Sequence, residues 1–220
     1  VSHHIFRPGL IIARHSYGGT TMLRMLAAFP IIQPIAVPDA KVQTVALDDV
    51  ADAVSAALAG NIPNGFVGDL VESETHSLRE VVASMRQWLG FAHARREIII
   101  PELMTRAMSK VADGLGRLGW RSPLRSTALK VLVDGVTGVP TDLSKFGVPP
   151  VKSLSQTLAS MPARAEDRMF GHMALLTPII ITTLIVFWFL SGVMGFISVN
   201  EAALVLEDVG WPRALAVASV

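Results

Sequence analysis

The chain has 220 residues and a formal net charge of +1, with no cysteine. Near-neutrality, with no basic stripe interleaved with aromatics, excludes a nucleic-acid-binding module, and the lack of Cys excludes disulfides, thiolate metal sites and a thiol nucleophile. Just over half of the residues are apolar, and charged residues make up only 17%, a balance that directs attention to where the apolar residues are concentrated.

In chain order, Ile5–Ala13 reads as a strand interrupted by Pro8-Gly9, because proline belongs at a strand end, an edge or a bulge. Tyr17-Gly18-Gly19 reads as a loop. Thr20–Phe29 is a short helix with Met22, Leu23, Leu26 and Ala27 at helical spacing. Val42–Leu47 is a second strand. Asp48-Asp49 then precede an apolar helix over Val50–Ala59, where N-capping and the helix dipole favour negative charge. Gly65–Leu70 is a third strand. Ser77-Leu78-Arg79-Glu80 spells a capping box that opens a helix ending at Gly90.

Glu97–Ile100 is a short strand stopped by Pro101. From there Met104, Met108, Val111, Leu115 and Leu118 recur on one helical face, flanked by Arg106, Lys110 and Arg117. This basic amphipathic helix has two readings. One is a stripe that covers the protein's own core, which is the reading favoured here; the other is a helix lying on an anionic membrane surface. A further helix covers Thr127–Val136, and Ser153-x-x-Gln156 starts a last short one. Alternating strands and helices predict an α/β fold for residues 1–165.

Met173–Val199 carries no charged residue across 27 positions. A helix of that length reaches about 40 Å, more than the ~30 Å hydrocarbon core, so it is predicted to cross a membrane. Arg164 and Arg168 precede it, and Glu201, Glu207 and Asp208 follow. The positive-inside rule then puts the large N-terminal domain in the cytoplasm. Residues 166–200 form the anchor, and 201–220 begin a further apolar segment.

Chemical motifs are sparse. Gly114-Leu115-Gly116-Arg117-Leu118-Gly119 matches G-x-G-x-x-G, but it follows an amphipathic helix rather than a strand. It is therefore read as a helix end rather than a phosphate loop. Asp48, Asp49 and Asp52 are read as capping residues. The six histidines are scattered and none has the i, i+4 spacing of a helical zinc site, so no metal site is predicted. No catalytic residue is assigned.

Phe6-Arg7-Pro8-Gly9-Leu10-Ile11-Ile12 with Tyr17-Gly18-Gly19 resembles the strand and loop that follow the catalytic region of extended and atypical short-chain dehydrogenases/reductases. Val45-Ala46-Leu47-Asp48-Asp49-Val50-Ala51 is similar to a second segment of that family. Leu118-Gly119-Trp120-Arg121-Ser122-Pro123-Leu124-Arg125, followed by the hydrophobic tail, resembles bacterial members with a DoxX-like membrane segment. The resemblance implies the C-terminal part of a Rossmann-like fold followed by a transmembrane helix in the bacterial cytoplasmic (inner) membrane.

For function, the resemblance implies an NAD(P)-dependent oxidoreductase or epimerase. The glycine-rich phosphate loop and Tyr-x-x-x-Lys pair of the family are missing here, and Tyr17 is followed by Thr21 where Lys would stand. The chain is therefore expected to be a C-terminal portion that binds no NAD or NADP tightly alone and that depends on an N-terminal half. The alternative is a non-catalytic accessory subunit docked to other membrane-protein subunits. Carried over residue by residue, Pro8, Gly9 and Leu10 become cofactor-side backbone, and Ser16, Tyr17 and Gly18 become substrate-side contacts.

Overall fold

The computed structural model describes residues 3–16, 18–117 and 126–219. It divides into two units, Val1–Leu175 and Leu176–Val220. The architecture is mixed α/β, with short parallel strand pairs and one long apolar helix near the C-terminus.

The first unit opens on β1 (Ile5–Pro8) and β2 (Leu10–Ile12), separated at Gly9. The interruption expected at Pro8-Gly9 is therefore a change of partner. Gly9 N donates to Leu70 O (3.0 Å), whereas Leu10 N donates to Gln43 O (2.9 Å). Proline has no N–H to extend a ladder, so the exchange falls immediately after it. Helix α1 (Gly19–Ala27) follows, then β3 (Ile32–Ile35), β4 (Lys41–Val42) and β5 (Thr44–Ala46). β3 was not anticipated, because Gln33-Pro34 masks its alternation.

The expected Val42–Leu47 strand is split into β4 and β5, and Leu47 is already helical. Helix α2 (Leu47–Leu58) starts three residues before the expected Val50, with Ala46 at the N-cap and no side-chain cap. Asp48 and Asp49 therefore lie inside the first turn and do not precede it. Strand β6 (Val67–Leu70) begins two residues after Gly65, whose φ of +78° makes a turn that a β-carbon would strain.

Next come β7 (His76–Ser77) and α3 (Leu78–Trp88). The capping box is present: Ser77 Oγ accepts from Glu80 N, and Ser77 N donates to the Glu80 carboxylate (2.7 Å). Strand β8 (Arg96–Ile99) precedes α4 (Glu102–Arg117), α5 (Ser126–Asp134) and α6 (Leu154–Ser160). β1 pairs with β6, β2 with β5 and β3 with β8, all parallel, while β4 and β7 are antiparallel.

Two apolar clusters hold this unit. Ile12, Leu23, Val42, Val81, Val82 and Met85 anchor one, and Val45, Ala53, Ile62, Leu70, Leu143 and Val148 the other. Buried Arg86 braces the first. Its guanidinium donates to the carbonyls of Ala27 (2.9 Å) and Phe29 (2.6 Å), acceptors at the end of α1, and to that of Ala92 (2.5 Å), past the end of α3. Burial pushes the Arg86 pKa down.

Helix α4 departs from the favoured reading. Its apolar face does not enter the core: Met104 is 58% exposed, Met108 42% and Val111 63%, while Ser109 and Ala112 are buried.

Helix α7 (Ala165–Asp208) contains the whole uncharged run and extends past both of its expected ends. At 44 residues it is about 66 Å long. Its most apolar window has a mean hydropathy of 2.3 with none of it buried, so it is long and apolar enough to cross a membrane. Pro178 lies inside it and removes one ladder donor. Thr182 Oγ1 donates to the Pro178 carbonyl (2.8 Å), a local bond that suits an apolar medium. Within the second unit, Gly210 (φ +92°) turns the chain into α8 (Arg213–Ser219), and Ala203 and Ala216 are buried.

Candidate functional site

Pro8 and Gly9 sit on the wall of a cavity of about 290 Å³ with Arg7, Asp69, Val136 and Gly138. A β-carbon on Gly9 would lie 2.5 Å from Gln43 O and 3.0 Å from Val71 Cγ1, so the backbone approach there requires glycine. Gly138 is held opposite by donating to Gln43 Oε1 (2.7 Å). A β-carbon on Gly138 would come within 2.8 Å of Asp69 Oδ2. The Asp69 carboxylate accepts from Arg7 Nε (2.6 Å) and Val139 N (3.0 Å). The Val139 N–H, and then Arg7, hold Asp69 below the usual carboxylate range. It stays ionised at neutral pH as a paired, anchored group, a poor proton donor or acceptor.

These residues do not fit a whole dinucleotide. The cavity lies at the bottom of the roughly 300–1,000 Å³ range of small-molecule sites. Arg7 on its wall already serves Asp69, and among the described residues no helix N-terminus lines it to receive a diphosphate. Leu10, the third cofactor-side residue, packs instead against the larger core cluster.

Ser16 belongs to a different cavity, of about 380 Å³, with Arg14, Arg24, Arg164, Asp167 and Phe170. Gly18 is exposed and forms the N-cap of α1 at φ +58°. Tyr17 lies outside the described residues. The five described residues from the family resemblance are thus divided among two cavities, a core and a helix end.

Arg24 organises the second cavity. Its side chain, only 3% exposed, pairs with Asp167 at 3.1 Å. It also donates to the carbonyls of Ala13 (2.7 Å) and Arg14 (2.6 Å), and its guanidinium carbon lies 4.9 Å from the Trp88 ring centroid. Burial lowers its pKa, against the opposing pull of Asp167. Asp167 in turn accepts from Arg164 N (2.9 Å) at the start of α7. The sequence gives no sign of this pair, because its partners are 143 positions apart.

Two further polar centres escaped sequence reasoning. Asp49, expected as a cap, instead accepts from Lys152 N (2.8 Å) and pairs with Lys152 Nζ. The bond to Asp49 raises the Lys152 pKa. Glu72, 1% exposed, accepts from Thr44 N (2.8 Å), Thr44 Oγ1 (2.6 Å) and Leu154 N (2.7 Å), with His76 Nε2 at 3.2 Å. Glu72, Glu74 and His76 bring possible metal-ligand atoms within 4.8 Å of one another. Both Glu72 oxygens already serve these donors, so a structural role accounts for the cluster. Gly114 and Gly116 of the G-x-G-x-x-G match lie inside α4, while residues 118–125 fall outside the described residues.

No family model and no curated protein match the chain. A solved structure titled "Crystal structure of gox2253" is similar at 16% identity and a TM-score of 0.43, over 70% of this chain and 46% of that one. The chain thus spans about half the length of that protein.

Proposed function

We propose that this chain is the C-terminal lobe and membrane anchor of a protein of the short-chain dehydrogenase type. Its NAD(P)-dependent oxidoreductase or epimerase chemistry depends on a nucleotide-binding segment other than these 220 residues. The observation that carries the reading is Gly9: a parallel strand exchanges partners there, at a point where no side chain fits. The family resemblance brings backbone close to the cofactor at this position. The length and apolarity of α7 support the anchor, and its flanking charges support a cytoplasmic first unit at the bacterial inner membrane. In this assignment Pro8 and Gly9 form one wall of the site, and the phosphate loop and Tyr/Lys pair are supplied elsewhere.

The test is a fluorescence titration of NADH and NADPH against the purified full chain in detergent micelles. These residues alone give no saturable binding at micromolar concentrations, and binding appears once they are joined to a segment carrying the phosphate loop. Saturable binding by the chain alone, abolished by Gly116→Ala, overturns the assignment.

One observation favours a second reading, a non-catalytic accessory subunit of a membrane complex. Pro8 and Gly9 line one cavity and Ser16 another, whereas group transfer needs reacting atoms roughly 3–3.5 Å apart. On that reading the joined protein also fails to bind NADH, and it copurifies with a membrane-protein partner.

A further inference from the structure

Helix α4 is packed inside out. On a wheel of about 100° per residue, Thr105, Ser109, Ala112 and Gly116 form one narrow small-residue side. Met104, Met108 and Val111 lie on another, and Arg106, Lys110 and Arg117 on a third. The helix turns its small-residue side inward, with Ser109 and Ala112 buried, and exposes the side that carries Met104, Met108 and Val111. A soluble helix normally buries the reverse set.

The stretch of sequence that carries this helix is equally biased in charge. Residues 95–130 hold eight Lys or Arg against three Asp or Glu, a net of +5 in a chain whose total is +1. Two of the three acidic groups are engaged locally: Glu102 pairs with Arg106 (2.5 Å), and Asp113 accepts from Ser126 N (3.2 Å). An exposed apolar strip beside a basic flank has the chemistry of a helix that lies in the headgroup layer of an anionic bilayer. Each Lys or Arg near such a surface adds attraction, and a long stem can keep its charge at the headgroups while the apolar face is immersed.

We propose that α4 is such an interfacial helix, immersing Met104, Met108 and Val111 in an anionic lipid surface. This rests on the reading that α7 crosses a bilayer, since the anchor keeps the helix at a membrane and makes a modest surface affinity sufficient. The occupant is lipid rather than a second copy, because two copies of this face would bring two +5 segments together.

The chain has no cysteine, so single-cysteine variants label cleanly. Full-length Met108→Cys and Arg106→Cys, each carrying an environment-sensitive NBD dye, are reconstituted into nanodiscs of phosphatidylcholine with or without phosphatidylglycerol. The dye at 108 is expected to shift to the blue and to be quenched by lipid-borne nitroxides in the anionic discs. The shift shrinks in neutral discs, in high salt, or when Lys110→Gln and Arg117→Gln are added, and the dye at 106 stays water-exposed. A dye at 108 that remains water-exposed in anionic discs overturns the proposal and leaves the anchor intact. A blue shift without lipid quenching overturns it in favour of a protein partner. A chain that leaves the discs altogether overturns the anchor reading and this proposal together.

Discussion

Replacing Asp167 by alanine should be among the most damaging single changes in the first unit. The Arg24 side chain is 3% exposed and Asp167 9%, so among the described residues the substitution leaves a buried guanidinium the Ala13 and Arg14 carbonyls as acceptors. Breaking one side of a buried pair costs about 3–5 kcal/mol, because the remaining charge stays desolvated. Arg24→Met is milder, about 1–3 kcal/mol. It fills the volume without a charge and leaves Asp167 near Arg14 (3.6 Å) and the Arg164 N–H. The double variant should be less damaged than the sum of the two, with a coupling of up to about 3 kcal/mol. Amide hydrogen exchange of the full chain in detergent micelles reads this directly in α1 and α3, the helices that carry Arg24 and Trp88. An Asp167→Ala cost below about 1 kcal/mol, or strict additivity, would refute the claim that a buried charge is held by that carboxylate.

Glu72→Ala strands the Thr44 and Leu154 N–H groups and should cost roughly 2–6 kcal/mol, at about 1–3 for each orphaned donor; the same exchange measurement on β5 and α6 checks it. Gly9→Ala forces a β-carbon against a backbone carbonyl and should cost about 2–3 kcal/mol, seen as faster exchange in β2 and β6, whereas Gly114→Ala, with open space around it, should be neutral or stabilising. Asp69 has a depressed folded pKa, so its contribution is present above the unfolded value of about 4 and is lost as pH falls through the folded value. Thermal melts across pH 2–7 should therefore show Asp69→Asn least stable relative to the parent near neutrality, with the gap closing in acid; a gap that widens in acid contradicts the assignment.

The sequence was legible where physics is local. Two capping boxes appear as the Ser77–Glu80 and Ser153–Gln156 pairs, because three-residue spacing alone brings their donors and acceptors together. The long apolar helix follows from an uncharged run, and the strand break at Pro8-Gly9 follows from a missing N–H. What could not be read depends on distant partners. Asp49 looks like a cap until Lys152, 103 positions away, takes it. Arg24 looks like a stray charge on an apolar helix until Asp167 meets it. Periodicity also identified α4 as amphipathic, but it cannot say which face turns inward, and the small residues won. The candidate site was the least legible part: strand and loop residues that are close in sequence separate into different cavities, because the Ala13 and Arg14 carbonyls are drawn to Arg24 while Gly9 lines a cavity with Asp69 and Gly138.

Alkaline carbonate extraction of membranes from cells expressing the full chain tests the central claim most directly. If α7 anchors this α/β protein by spanning the bilayer, the chain stays in the membrane pellet after carbonate washing, and it loses that retention when charged residues replace Ile185 and Phe189. Release of the unaltered chain into the supernatant would contradict the account.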